Sequence, residues 1–134
     1  MTVKSTSLKI NTNKNFEIID ITSQINNLID IEEGIISIFS RHSTSAIVVN
    51  ENESGLLNDL EFMLNNIVSD KFSYQHDRSD NNAKSHLKSF LLSSSESLPV
   101  KNHKLDLGTW QSVFFVELDG PRAGRTVTLT MVGE

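Results

Sequence analysis

The chain has 134 residues, with 12 Lys+Arg against 17 Asp+Glu, a formal net charge of -5, and 37% hydrophobic and 22% charged residues. Such a chain is expected to fold as one soluble domain over residues 1–134, with a single core, and not as a general binder of nucleic acid, which would be basic. The absence of cysteine excludes disulfides, thiolate metal sites and thiol catalysis. No stretch nears the roughly 18 apolar residues that span a bilayer, and Met1–Ser7 lacks the apolar core of a signal peptide. A cytoplasmic protein without membrane contact is expected.

Residues 3–10 and 15–20 read as two strands joined through Asn11-Thr12-Asn13-Lys14, a plausible hairpin. Residues 22–32 read as a helix with Ile25, Leu28 and Ile29 on one face, capped by Asp20 or Thr22 and ended by Gly34. Residues 35–41 and 45–50 are Ile- and Val-rich strands. Residues 54–68 form the clearest helix, with Leu56, Leu57, Leu60, Leu64 and Ile67 at helical spacing and Asn52 fit to cap it. The polar stretch 69–82 is too short to separate domains. A third helix spans 82–92, capped by Asn81 or Asn82, and Ser93-Ser94-Ser95 is a turn. Residues 97–101, 110–118 and 125–132 are strands. In the last, Val127, Leu129 and Met131 alternate with Thr126, Thr128 and Thr130. Strands and helices mix without regular βαβ alternation, which favours an α+β fold.

No glycine-rich phosphate loop, nucleophile elbow or paired-histidine zinc motif is present. Any chemistry must come from residues gathered by folding. His42 ends an apolar strand, His76 lies in a polar loop and His86 sits at the margin of the third helix's inward face. Three imidazoles suit a metal site with an open position; equally, His42 and His86 suit the core's edge and His76 the surface. His103 falls in a turn. Glu117 interrupts the apolar run Val113–Leu118, so its carboxylate needs a partner or a role. Arg125 shares parity with Val127 and Leu129 and is a suitable inward-pointing partner. Glu51 lies in a polar turn, Asp59 on a solvated flank, and Trp110 is expected in the core. Lys84, Lys88, Lys101, Lys104 and Arg122 are either scattered surface cations or one cationic end suited to a phosphorylated small molecule.

Several segments taken together resemble one family. They are His42-Ser43-Thr44-Ser45-Ala46 with Asn50-Glu51, then His76-Asp77-Arg78, then Asn82-Ala83 with His86-Leu87-Lys88. Leu107-Gly108-Thr109-Trp110-Gln111, Glu117, Asp119-Gly120-Pro121-Arg122, Arg125 and Gly133-Glu134 follow in order. The chain resembles the secondary thiamine-phosphate synthase family, also called the YjbQ family, along almost its whole length. Asn81, Ser93 and Glu96 stand where that family usually has an aspartate, a glycine and an apolar residue.

The resemblance implies an α+β single domain with a β-sandwich-like mixed sheet core, about three helices and a homotrimeric assembly. It implies a synthase activity, as a side reaction, that joins a pyrimidine-methyl diphosphate to a thiazole phosphate and expels pyrophosphate. His42, His76 and His86 match the family's site histidines, for metal binding or proton transfer. Glu51 and Glu117 would orient imidazoles, and Lys88, Arg125 and Gln111 would contact phosphate. A divalent ion, zinc or magnesium, would be the cofactor. The alternatives are a histidine-based metal- or ligand-binding protein without robust turnover and a metal-dependent phosphate-ester hydrolase.

Overall fold

The structure, a computed structural model, describes residues 1–134. In chain order the elements are β1 (Thr2–Ile10), β2 (Glu17–Asp20), α1 (Thr22–Leu28), β3 (Glu33–Ser40), β4 (Ser45–Glu51), α2 (Ser54–Ile67), a 3-10 turn (Gln75–Arg78), α3 (Ala83–Leu92), β5 (Ser95–Lys101), β6 (Lys104–Leu105), β7 (Gln111–Glu117) and β8 (Arg125–Gly133). They make a five-stranded sheet ordered β1-β8-β3-β5-β6 and a three-stranded sheet ordered β2-β7-β4. The α+β class and the sandwich-like core hold. Every strand pairing is antiparallel, so the sheets are not mixed.

The inner faces of the sheets meet in one core. Ile36, Ile38, Val127, Leu129 and Met131 come from the large sheet, and Ile47, Val113 and Phe115 from the small one. Each such side chain stabilises the fold by about 1.5–3 kcal/mol relative to exposure. The outer face of the small sheet is apolar as well: Ala46, Val116 and Leu118 pack with Phe16, Ile18, Val48 and Leu92. This two-sided burial explains the unbroken apolar run of β7. On the outer face of the large sheet Thr126, Thr128 and Thr130 are half-buried, as the alternation of β8 requires.

Three expectations are corrected. β1 and β2 do not form a hairpin: β1 pairs with β8, β2 pairs with β7, and residues 11–16 carry the chain from one sheet to the other. α1 ends at Leu28, because Ile29 is extended, and Ile29 and Ile31 reach the core from alternate positions of an extended segment. Gly34 therefore lies in β3, opposite Gly133, where a Cβ would sit 2.1 Å from the Val132 carbonyl. Finally, Trp110 precedes β7 and is 72% exposed, so it is not a core residue.

The caps of α2 and α3 also differ from the expected ones, while Asp20 accepts the N–H of Thr22 at the start of α1 at 3.0 Å. Glu53 caps α2, accepting from the backbone N–H groups of Gly55 and Leu56 at 2.6 and 3.1 Å. Asn52 instead donates to Asp20. Of the apolar stripe of α2 only Leu64 is buried. Leu56, Leu57, Leu60 and Met63 cover a slot of about 230 Å³ against Ile18, Val48 and Phe114 of the small sheet. Asn82 occupies the cap position of α3 without capping it; Asp77 accepts the Ala83 N–H at 2.9 Å.

Candidate functional site

Where β3 ends and β4 begins, the chain passes α3 and leaves a cleft of about 490 Å³. Arg41, His42 and His86 line it, with Phe39 and Phe90. Ser40, Ser43, Ser89, Ser93 and Ser94 complete the wall, and no carboxylate belongs to it. His86 and Phe90 also line a neighbouring cleft with Tyr74, Gln75, His76, Ala83 and Leu87. The rings of His76 and His86 lie edge to face, 4.8 Å between centroids. Two adjoining clefts thus carry the three histidines, with His86 common to both.

His42 is half-buried just past β3. Its Nε2 accepts the backbone N–H of Thr126 at 2.8 Å, so that nitrogen carries no proton and the ring proton sits on Nδ1. Burial pushes its pKa down, repulsion from the Arg125 guanidinium adds to this, and Glu117 opposes it. His76 Nε2 lies 3.0 Å from Asn82 Oδ1. Asn82 Nδ2 donates to Asp119 Oδ2 at 2.9 Å, and the Arg122 guanidinium reaches the same oxygen at 3.0 Å. Gly120, between them, approaches the Lys14 carbonyl so closely that a Cβ would stand 2.2 Å from it.

The other expected site residues lie elsewhere. Glu117 and Arg125 face each other in the interior, 0% and 5% exposed. Arg125 Nε donates to Glu117 Oε1 at 2.9 Å and its terminal nitrogen to Oε2 and to Thr44. Thr12 and the Asp119 N–H complete the carboxylate's shell, and no imidazole touches it. Lys88 is buried, donates to Asn65 at 2.7 Å and sits 5.9 Å from the centre of the Phe16 ring. Burial pushes its pKa down, Lys84 adds to this and Glu61 opposes it. Glu51 borders the slot under α2 with Asp59, and Gln111 accepts from the Gly108 N–H at 2.8 Å. His103 lies in the turn between β5 and β6, paired with Glu32.

Within one chain no three His, Cys, Asp or Glu side chains gather closely enough to hold a metal ion. His42 has already spent its lone pair on Thr126. The donor set of a single chain therefore does not fit a three-imidazole metal centre. Sequence reasoning passed over Arg41 and the cleft serines. The Ser93-Ser94-Ser95 run was a visible signal, although serines mark turns as readily as anion sites.

Fold and cleft together define a small antiparallel sandwich protein with a cleft rich in hydrogen-bond donors beside α3. The family model described as "UPF0047 protein YjbQ-like" matches residues 6–134. A UPF0047 protein of Methanothermobacter thermautotrophicus is 49% identical over 137 residues, covering 100% of this chain and 95% of the relative. The UPF0047 protein YugU of Bacillus subtilis is 32% identical, covering 95% and 98%. The crystal structure of a YbjQ-like protein of unknown function from Sulfolobus solfataricus superposes with a TM-score of 0.94 at 39% identity, covering 99% of both chains. The chain belongs to the YjbQ-like UPF0047 family. No helix is long and apolar enough to cross a membrane.

Proposed function

We propose that the cleft between β3, β4 and α3 binds the phosphate group of a small phosphorylated molecule. The observation that carries this reading is the make-up of its wall: Arg41, His42, His86 and five serines, without a carboxylate; the hydroxyls of Ser40 and Ser89 are held by Ser45, and those of Ser43, Ser93 and Ser94 make no hydrogen bond within the chain. His42 fits the role without rearrangement. Its Nδ1–H is free to donate to an anion, whereas taking a cation there would require loss of that proton.

The reaction that suits this wall is the one implied by the resemblance. A pyrimidine-methyl diphosphate loses pyrophosphate as its methylene carbon is taken by the nitrogen of a thiazole phosphate. Stabilising the charge on the departing pyrophosphate is the main task, and Arg41 with the imidazoles would meet it. The test supplies both substrates to the purified protein and measures thiamine phosphate and pyrophosphate. Formation of both, reduced at least tenfold by Arg41→Gln, supports the synthase. Phosphate release from simple esters alone replaces it with the hydrolase, and tight binding without turnover with the binding protein.

A histidine-held divalent ion is the second reading, favoured by the 4.8 Å approach of His76 to His86. Its remaining ligands would come from outside the single chain. The homotrimer is proposed on the apolar side chains left bare on α2 and α3, among them Phe62, Phe90 and Leu91.

A further inference from the structure

We infer that His42 and His76 are held as opposite neutral tautomers, and that their ligand is a phosphate ester bearing a hydroxyl or N–H donor beside its phosphate. The ligand class rests on the anion-binding reading of the cleft; the two ring states do not.

The tautomers follow from what each neighbouring atom is able to do. Thr126 N–H is only a donor, so His42 Nε2 is an acceptor and Nδ1 carries the proton. The logic at His76 runs through three side chains. Arg122 pairs with Asp119 Oδ2, which keeps that oxygen an acceptor. Asn82 must therefore present its NH2 to Asp119, at 2.9 Å, and its carbonyl to His76. An amide oxygen facing His76 Nε2 at 3.0 Å requires a proton on Nε2. Asp80 Oδ2, 3.7 Å from the same nitrogen, reinforces that requirement. His76 Nδ1 is left with its lone pair free and no partner within the chain.

The paired clefts therefore have polarity. On the His42 side stand an Nδ1–H and Arg41, which recognise oxyanions. On the His76 side stands a bare lone pair, which recognises a donor. His86 joins the two walls. Asn82, Asp119 and Arg122 become positioning residues: Asn82 takes up the fixed charge of Asp119, 37 residues further along the chain, and turns it into a fixed proton on His76. At pH 8 a phosphate monoester is a dianion and supplies no donor itself, so the donor must come from the organic part.

The ring states are read by long-range 1H–15N correlation on labelled protein at pH 8.5, above the ordinary imidazole titration near 6.5. His42 should appear as the Nδ1–H form alone and His76 as the Nε2–H form alone. Asp119→Ala removes the acceptor to which Asn82 donates and frees its amide to turn, so His76 should become a mixture while His42 stays as it was. Asn82→Asp keeps an acceptor on His76 and should keep the single form. Nδ1–H on His76 or Nε2–H on His42 in the parent overturns the assignment, whatever the variants do. An unchanged His76 in folded Asp119→Ala overturns the relay.

Ligand class is read by calorimetry at pH 8 with glycerol 3-phosphate and propyl phosphate, which differ in hydroxyl donors. Glycerol 3-phosphate should bind several-fold tighter, and His76→Phe should abolish that preference while leaving propyl phosphate bound. A preference that is absent, or that survives His76→Phe, overturns the ligand class. Binding of neither ester sinks the anion cleft and the ligand class with it, and leaves the tautomers to the NMR result.

Discussion

Arg125 grips Glu117 with two nitrogens inside the sandwich, and both side chains are almost wholly shut off from water. Thr12, Thr44 and the Asp119 N–H saturate the pair, which ties β7 and β8 to the loop after β1 and to the start of β4. A buried ion pair contributes little beyond an apolar replacement, yet removing one partner strands the other's charge. Glu117→Gln should thus lower stability by about 3–5 kcal/mol in urea unfolding. Glu117→Leu combined with Arg125→Met should lose less than the two single changes summed. A stable Glu117→Gln protein with altered ligand binding would move Glu117 into the site instead.

The same pair sets a dependence on acid. Burial alone would raise the Glu117 pKa. Hydrogen bonds from Arg125, Thr12 and the Asp119 N–H, with the attraction of the guanidinium, more than offset this and hold it below the usual carboxylate range. A carboxyl whose folded pKa lies below its unfolded value stabilises fully above the unfolded value, about 4.3, and loses that contribution as pH falls through the folded one. The stability gap between parent and Glu117→Gln should be constant above about pH 5.5 and shrink below about pH 4. A gap that does not change between those limits contradicts the ion pair as the dominant interaction.

Local pattern made most elements legible, and long-range pairing did not. The alternation Val127, Leu129, Met131 fixed β8 and even the inward turn of Arg125. Nothing local showed that β1 would lie against β8, with Thr2 opposite Gly133, and not against β2. Apolar spacing in Ile25, Leu28 and Ile29 continued into Ile31, which suits a helix and an extended core segment alike. The histidines were visible because imidazole is rare and chemically distinct. Arg41 and the serines of the cleft are common surface types and acquire meaning only from the shared wall. Asn82 looked like a helix cap because asparagine usually is one; its partners His76 and Asp119 are set by tertiary packing.

Ser93 ends α3 with φ 77° and ψ 155°, a region nearly exclusive to glycine. Such a backbone costs about 1–3 kcal/mol for a residue with a Cβ. Ser93→Gly should therefore stabilise the chain by about 1 kcal/mol, after allowing for glycine's extra freedom when unfolded, and raise Tm by a few degrees. Calorimetric melting of the two proteins decides it, and a lower Tm for Ser93→Gly would show that the hydroxyl earns its place on the cleft wall.

Assembly is the next expectation. Phe62 on α2 is 71% exposed, and Phe90, 85% exposed, lines an apolar hollow with Ile67, Phe72, Leu87 and Leu91. A patch of this kind is what a homotrimer would cover. Multi-angle light scattering at micromolar concentration should give three times the chain mass of 15.0 kDa. Phe90→Glu should lower that mass without unfolding the domain, because the side chain takes no part in the core. A parent that elutes at the mass of one chain contradicts the trimer.

The last expectation separates the histidines by position. His86 is half-buried on α3 and belongs to both clefts, whereas His103 is exposed in the β5–β6 turn with Glu32 as its partner. A ring held on a helix loses little freedom on binding, so its removal subtracts most of its contact energy. Inorganic pyrophosphate and zinc are titrated separately at pH 7.5 into the parent, His86→Ala and His103→Ala. On the anion reading, His86→Ala should weaken pyrophosphate binding about tenfold or more, as expected for a lost charge-assisted or imidazole hydrogen bond, and His103→Ala should leave it unchanged. On the metal reading, zinc binding should follow the same order and weaken on acidification, because imidazole binds metal only when neutral. Equal pyrophosphate and zinc affinities in all three proteins would remove His86 from both roles and leave proton transfer as its remaining part in the cleft.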